Sequence, residues 1–443
     1  MRPVEEASPT AVSASSIATA AVSKITWRLV PFLFLLYIIA YLDRINVGFA
    51  ALQMQGQLGF TNDIYGNGAG AFFLGYFFFQ VPSNLILQRL GAKRWICVLM
   101  VTWGIISSCM MFVRTPFEFY GMRFLLGLAE AGFFPGVIFY LRSWFPADAR
   151  ARTVAWFMTA GTLSAVVGGP ISGALLRVHD PNGLAGWQWM FLMEGIPAVV
   201  MGGVVLLYLT DKPEIAGWLS EEHRSWLIGT LEQERQNISV DAPGNISSVF
   251  QNPNIWLLAI TYFGLNTCSY GMSLFLPKMI QASTSVDTFR IGLLTAIPYI
   301  SATIAMVLFG FHSDRTGERK FHTGLTALAA ALCLGGAAYS HSLVPMLILM
   351  TLAASFQWSM LGPFWAMPSS FLHGAAAATG IAFINSVGNL GGFFGPKVLG
   401  RLGFQNGLLI VGTTIGIGGL MALLVQLPRR VSGSLSETNA DVR

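Results

Sequence analysis

The sequence predicts an all-α membrane protein of twelve transmembrane helices in two halves of six. Three observations carry this reading. Of 443 residues, 54% are hydrophobic and only 11% are charged, against about 25% charged in an ordinary soluble domain, which leaves too little charge to cover a water-facing surface. The apolar residues gather into twelve runs near the roughly 20 residues that a helix needs to cross the hydrocarbon core. These runs are far longer than the strands of a closed barrel, the other structure able to span a membrane. Finally, two motifs recur at one offset of 226 residues: Gln88–Arg94 matches Asp314–Lys320, and Gly169-Pro170 matches Gly395-Pro396.

Along the chain, residues 1–23 are rich in Ala, Ser and Thr and are expected to form a disordered N-terminal tail. The N-terminal half, 24–209, carries apolar segments at 27–50, 62–87, 95–113, 117–141, 151–176 and 187–209. Residues 210–252 are the longest polar stretch, with Glu221, Glu222, Glu232, Glu234 and Arg235, and read as a linker with a short helix. The C-terminal half, 253–428, carries segments at 254–280, 290–311, 322–340, 344–366, 374–399 and 404–427, and 429–443 form a tail. A six-plus-six parallel repeat is a recurring transporter plan.

Charge sets the orientation. With the N-terminus inside, the inner tails and loops hold 18 of the 26 Lys and Arg residues and the outer loops hold six. That bias places both termini and the linker in the cytoplasm and explains the net charge of +5 without a nucleic-acid partner. Cys97, Cys109, Cys268 and Cys333 stand singly in apolar runs, where packing is the reading. No nucleophile arrangement, metal cluster or phosphate loop is visible, so no catalytic residue, metal or cofactor is expected.

The two remaining basic residues, Arg44 and Arg123, lie inside segments 1 and 4, and two acids, Asp43 and Glu130, join them at depth. A charge at mid-bilayer costs roughly 2.5 kcal/mol or more, so such residues usually mark a functional site; a structural salt bridge is the alternative. Arg123 and Glu130 are two helical turns apart on one face, with Gly127 between them. Small residues there either bring helices close or leave room for a ligand. Asp43 and Arg44 diverge by about 100° around their helix, so one can face a ligand while the other faces a neighbouring helix. At the repeat offset the second half has Ser269, Tyr270, Leu349 and Phe356 at these places, with neutral polar residues nearby at Tyr262, Asn266, Gln357, Asn385 and Asn389. An asymmetric site follows, charged on one half and hydrogen-bonding and aromatic on the other. Arginine forks match carboxylates, and carboxylates in apolar surroundings are suited to carry protons. The residues therefore point to co-transport of a small organic anion with protons. Antiport of two anions and a transporter-like membrane sensor are the alternatives.

Several runs resemble a known family. Gly310-x-x-Ser313-Asp314-Arg315-x-Gly317-x-Arg319-Lys320 is similar to the loop signature of the major facilitator superfamily, with Gln88 standing where the first-half copy usually has an acid. Tyr41-Leu-Asp43-Arg44-Ile-Asn46-Val-Gly48, Pro82-Ser83-Asn84, Arg123-x-x-x-Gly127-x-x-Glu130-Ala-Gly-Phe-Phe-Pro135-Gly136, Tyr140-Leu-Arg-Ser-Trp144-Phe145-Pro146 and Gly168-Gly169-Pro170-Ile-Ser172-Gly173 resemble its anion:cation symporter family over residues 25–430. That family's bacterial members import tartrate, phthalate, galactonate, glucarate and similar acids. The resemblance implies that Arg44 and Arg123 bind the substrate carboxylate and that Asp43 and Glu130 take up protons. It also implies that Tyr41, Tyr76 and Asn389 contact the substrate and that Asp314, Arg315, Gly317 and Arg319 form a gating loop. A monomer in the bacterial inner membrane, coupled to protons, is the expectation.

Overall fold

In a computed structural model, which describes residues 9–178, 183–239, 250–372 and 374–427, the regular structure among the described residues is entirely helical. The first crossing is made by α1 (Pro9–Ile45) and α2 (Val47–Leu58). Then follow α3 (Asn62–Leu90), α4 (Ala92–Cys109), the broken pair α5 (Pro116–Glu130) and α6 (Phe133–Arg142), α7 (Ala147–Leu175) and α8 (Gly186–Tyr208). The linker holds α9 (Glu221–Ser239). The second half repeats the order: α10 (Pro253–Ser283), α11 (Thr288–Thr316), α12 (Lys320–Ala338), the pair α13 (Leu343–Ser359) and α14 (Leu361–Ala366), and α15 (Gly374–Leu424). Among the described residues, ten helical stretches are long and apolar enough to cross a membrane. One of them, within α15, turns at Gly403, whose φ of 75° breaks the helix into two arms. With α10, which has the length but a more polar sequence, this makes twelve crossings.

One expectation is corrected at the N-terminus. The helix begins at Pro9, inside the stretch expected to be a disordered tail; residues 1–8 lie outside the described residues. The reason is a continuous stripe. Ala21, Ile25, Leu29, Leu33 and Leu36 are fully buried at near four-residue spacing, so one face carries the helix past the apolar segment into an Ala-rich run with high helix propensity. The linker also packs: Trp218 stacks on Trp144 with ring centres 5.3 Å apart, Arg28 sits over Trp218 at 4.8 Å, and Glu234 accepts from the Ala147 backbone N–H at 2.7 Å. The C-terminal tail lies outside the described residues.

The repeat is visible in the backbone. The loops after α3 and α11 each turn on a glycine with positive φ, Gly91 at 83° and Gly317 at 70°, a region that side-chain-bearing residues rarely adopt. At the end of the bundle away from the linker, the halves meet twice in matching fashion. A methyl group on Gly66 of α3 would lie 2.5 Å from the Pro396 carbonyl oxygen of α15, and one on Gly169 of α7 would lie 2.6 Å from the Gly292 carbonyl oxygen of α11. Such approach needs the smallest side chain. The Gly169-Pro170 and Gly395-Pro396 runs are thus packing notches between the halves in this structure. The same end is tied by Tyr65, whose hydroxyl donates to the Leu274 carbonyl at 2.6 Å, by Thr288 donating to Gly173 at 3.1 Å, and by Lys278, which donates to Gln55 and Asn62.

Candidate functional site

The charged centre is assembled from α1, α3, α5 and α10. Arg44, near the end of α1, donates through Nε and Nη2 to Glu130 Oε2 at 3.2 and 3.0 Å. Its Nη1 donates to the Tyr270 hydroxyl of α10 at 3.2 Å. Arg44 and Tyr270 are the same position in the two repeats, so they meet where the halves face each other. The guanidinium also lies over the rings of Tyr76, Phe72 and Tyr41, at 5.2, 5.3 and 5.9 Å. This is an aromatic enclosure that favours a cation.

Arg123 of α5 is 0% exposed, and its Nε, Nη1 and Nη2 have no hydrogen-bond partner. Its guanidinium lies over the same Phe72 ring that Arg44 meets, 4.9 Å from the ring centre. Glu130 does share a helix face with Arg123, but its ion pair is with Arg44, and its other oxygen is unpartnered. Local sequence explains the placement. Helix α5 starts at a complete capping box, Thr115 with Glu118, followed by Pro116, which fixes its register; it ends at Glu130, where the chain breaks before α6. Gly127 lies directly on the backbone of Phe72, so the small residues of this motif bring α5 onto α3 and set Arg123 beside the Phe72 ring.

Asp43 points elsewhere. It is fully buried and accepts from the Ser107 hydroxyl of α4 at 2.6 Å and from Asn46 Nδ2 at 3.5 Å. The two neighbours on α1 therefore divide as their 100° separation requires: Arg44 faces the centre and Asp43 faces another helix of its own half. Tyr41 and Tyr76 are buried at the Arg44 side chain. Asn389 of α15 is buried one turn from Gly392, which packs on Phe73; Phe73 in turn touches the Tyr270 ring, with centres 4.2 Å apart. The phenylalanine run splits: Phe72 and Phe73 are buried in this centre, while Phe78 is exposed on the outside of the bundle. Asp314, Arg315, Gly317 and Arg319 are far from the centre, in the loop after α11. There Asp314 pairs with Arg319 at 2.6 Å, and Arg319 also donates to Ser313 at 3.0 Å.

Sequence reasoning missed one buried acid. Glu194 of α8 is 5% exposed and accepts from the Ser172 hydroxyl of α7 at 2.7 Å. It stands in the middle of an apolar segment, so the criterion that picked out Asp43 and Glu130 applies to it equally. Tyr37, one turn before Tyr41, was also passed over; it stacks on Phe157 at 4.7 Å and completes the aromatic wall. No group of three or more His, Cys, Asp or Glu side chains that would hold a metal occurs among the described residues.

Comparison with known proteins agrees with this architecture. Residues 33–396 match the Major Facilitator Superfamily. A protein of Agrobacterium vitis whose name designates it a candidate tartrate transporter is 47% identical over 93% of this chain and 96% of its own. The protein NicT of Pseudomonas putida, named for metabolite transport, is 44% identical over 85% of this chain and 87% of its own. Among solved structures, a bacterial homologue of the human lysosomal transporter Spinster superposes with a TM-score of 0.74 at 15% identity, covering 90% of this chain and 96% of that one. With twelve helices in two repeated halves, a shared loop motif and a match across both halves, this chain is a multi-pass membrane transport protein, not an enzyme, and it belongs to the major facilitator superfamily.

Proposed function

We propose that the protein imports a small organic carboxylate, a hydroxy-dicarboxylate, sugar acid or aromatic acid, together with protons. The observation that carries this is the charge count at the centre. Arg44 and Glu130 neutralise each other, whereas Arg123 is buried with its N–H groups unpartnered. A buried guanidinium without a partner is costly, and a carboxylate supplies both the charge and the bidentate acceptor it lacks. Names such as that of the Agrobacterium relative support an organic acid as the cargo.

The coupling follows from the ion pair. Protonating Glu130 removes its negative charge and releases the Arg44 fork, so that Arg44 and Arg123 together hold the carboxylate between the two aromatic-lined halves. Loss of the proton lets Glu130 reclaim Arg44 and expel the anion. Halves 24–209 and 253–428 rock about the central site, and the glycine contacts at Gly66 and Gly169 close the far end, which the basic-residue bias assigns to the outside of a bacterial inner membrane. Both termini and the linker then face the cytoplasm. The loop holding Asp314, Arg315, Gly317 and Arg319 latches the inner end when the far end opens. The test is uptake of labelled tartrate and a panel of related acids into proteoliposomes, with and without an imposed pH gradient. Accumulation driven by the gradient supports the reading. Exchange of acids with no response to the gradient makes the protein an anion antiporter and overturns it.

A further inference from the structure

One face of α3 carries three buried aromatic rings, Tyr65, Phe72 and Tyr76. At 100° per residue they fall within about 40° of one another, in a stripe roughly 16 Å long that runs from the far end of the bundle to the centre. A cation from a different helix stands at each step. Lys278 of α10 lies 5.8 Å from the Tyr65 ring centre, Arg123 of α5 lies 4.9 Å from that of Phe72, and Arg44 of α1 lies 5.2 Å from that of Tyr76. The inner two hold the carboxylate in the proposed transport cycle, and Lys278 has no part in it. Lys278 is half-buried and donates to the side-chain oxygens of Gln55 and Asn62, both of the other half. Among the described residues no acid pairs with it, whereas Arg177 and Arg290 at the same end share Asp287, at 4.0 and 3.5 Å.

Neutral amide oxygens compensate an ammonium less fully than a carboxylate does, so this contact is one that opening can release. Gln55 and Asn62 lie on α2 and α3, and Lys278 lies on α10. Separation of the halves at the far end therefore draws the acceptors away and uncovers a cation with no acid to turn to. An anion arriving from that side meets an uncommitted positive charge in a cleft with low-dielectric walls, which focus the field and raise the rate of encounter. We propose that Lys278, beside the Tyr65 ring, is an outer capture site for the incoming carboxylate, which passes from there along the α3 stripe to Arg123. From Tyr65 to Phe72 the step is seven residues, about 10 Å along the helix. This rests on the reading that the cargo is an organic anion bound at Arg123. The same ammonium thus serves two states. With the far end closed it ties α10 to α2 and α3, and with the far end open it holds the anion. Lysine suits the exchange, because a compact charge on a flexible stem swings between partners and lets go of a carboxylate that a planar fork would grip.

Two measurements on right-side-out membrane vesicles holding the full-length protein test the site. In the first, Lys278 is labelled by a membrane-impermeant amine reagent and read by mass spectrometry. Tartrate is expected to slow that labelling severalfold, and erythritol, its neutral counterpart, is expected to leave it unchanged. In the second, uptake of labelled tartrate and related acids is compared across variants. Lys278→Gln keeps a donor for Gln55 and Asn62 but loses the charge, and its half-saturating concentration is expected to rise about tenfold, the lower end of electrostatic steering, with the maximal rate retained. Lys278→Glu should raise it further and Lys278→Arg should stay near wild type. Added salt should weaken wild-type uptake at low substrate more than that of Lys278→Gln. Protection by tartrate in a protein that imports none of the acids leaves the capture site standing and overturns the import reading. Uptake in wild type with unprotected or unlabelled Lys278, and with the same half-saturation in Lys278→Gln, overturns the capture site and leaves the import reading in place. A lower maximal rate at unchanged half-saturation in Lys278→Gln also overturns it, because Lys278 would then be a latch alone.

Discussion

The two halves of the molecule are copies, and they differ in an instructive way. At the far end and in the loops they are alike. Gly66 and Gly292 occupy the same repeat position and each meets the other half, and Gly91 and Gly317 each end their helix on a positive φ. At the centre they are opposites. The first half presents Arg44, Arg123 and Glu130, while the second presents Tyr270 and neutral walls, and Arg44 bonds to its own repeat partner, Tyr270, across the divide. Backbone geometry tolerates little change in either copy, since two helices can approach only as closely as their side chains allow. Side-chain chemistry at the centre is free of that constraint, and there one copy has become the charged face and the other the neutral one.

The largest expected effect tests the charged face. Arg123→Lys keeps the charge but loses the planar fork. Binding of the carboxylate, measured by calorimetry on purified protein, is expected to weaken roughly hundredfold, in line with truncation of a buried charge pair. Unchanged affinity would make Arg123 a packing residue. Glu130→Gln comes next. It leaves Arg44 without its acid, so the variant should still bind substrate and exchange it in counterflow. Concentration of substrate on an imposed pH gradient should fail, and concentration equal to wild type would leave Glu130 with a purely structural place.

The matched glycines probe the shared architecture. Gly66→Leu and Gly292→Leu each insert a large side chain into a contact that has no room for a methyl group, and overpacking of this kind costs about 1–3 kcal/mol. Both should slow uptake roughly tenfold and leave the far end open to a water-soluble thiol reagent at an engineered cysteine such as Ser273→Cys. A large effect from one and none from the other would break the symmetry argued here. The smallest effect is expected from the neutral half. Tyr270→Phe removes one acceptor from Arg44, and affinity should fall about tenfold or less, without altering the response to pH. A loss as large as that of Arg123→Lys would mean that the two halves share the binding energy evenly.

Much of this was legible in the sequence, for reasons that can be named. Span length and hydropathy reflect the thickness of the bilayer, which every crossing helix must match. The 226-residue offset is a property of the chain alone. Arg44, Arg123, Asp43 and Glu130 were found because a charge in an apolar run is expensive, and Glu194 would have been found by applying that same rule to segment 6. Other features had no linear signal. The disordered-tail expectation failed at residue 9 because the stripe through Ala21 and Ile25 is anchored by packing that composition does not report. Whether the glycine-proline runs bend or pack depends on what stands opposite them, and Gly292 and Gly66 belong to other helices.

The sequence by itself determined how many helices cross, which loops carry positive charge, and which ionisable groups must be housed in an apolar interior, because each of these is a local balance between side chains and solvent. Only the tertiary structure decided who partners whom. Glu130 shares its helix with Arg123 but pairs with Arg44, which lies 86 positions away along the chain; Asp43 and Arg44 are neighbours in the chain and yet serve two different polar clusters. The physical reason is range. A buried charge is stabilised only by groups within a few ångströms, and which groups come that close is set by how α5, broken at Glu130 and seated on Phe72 through Gly127, lies against α1 and α3.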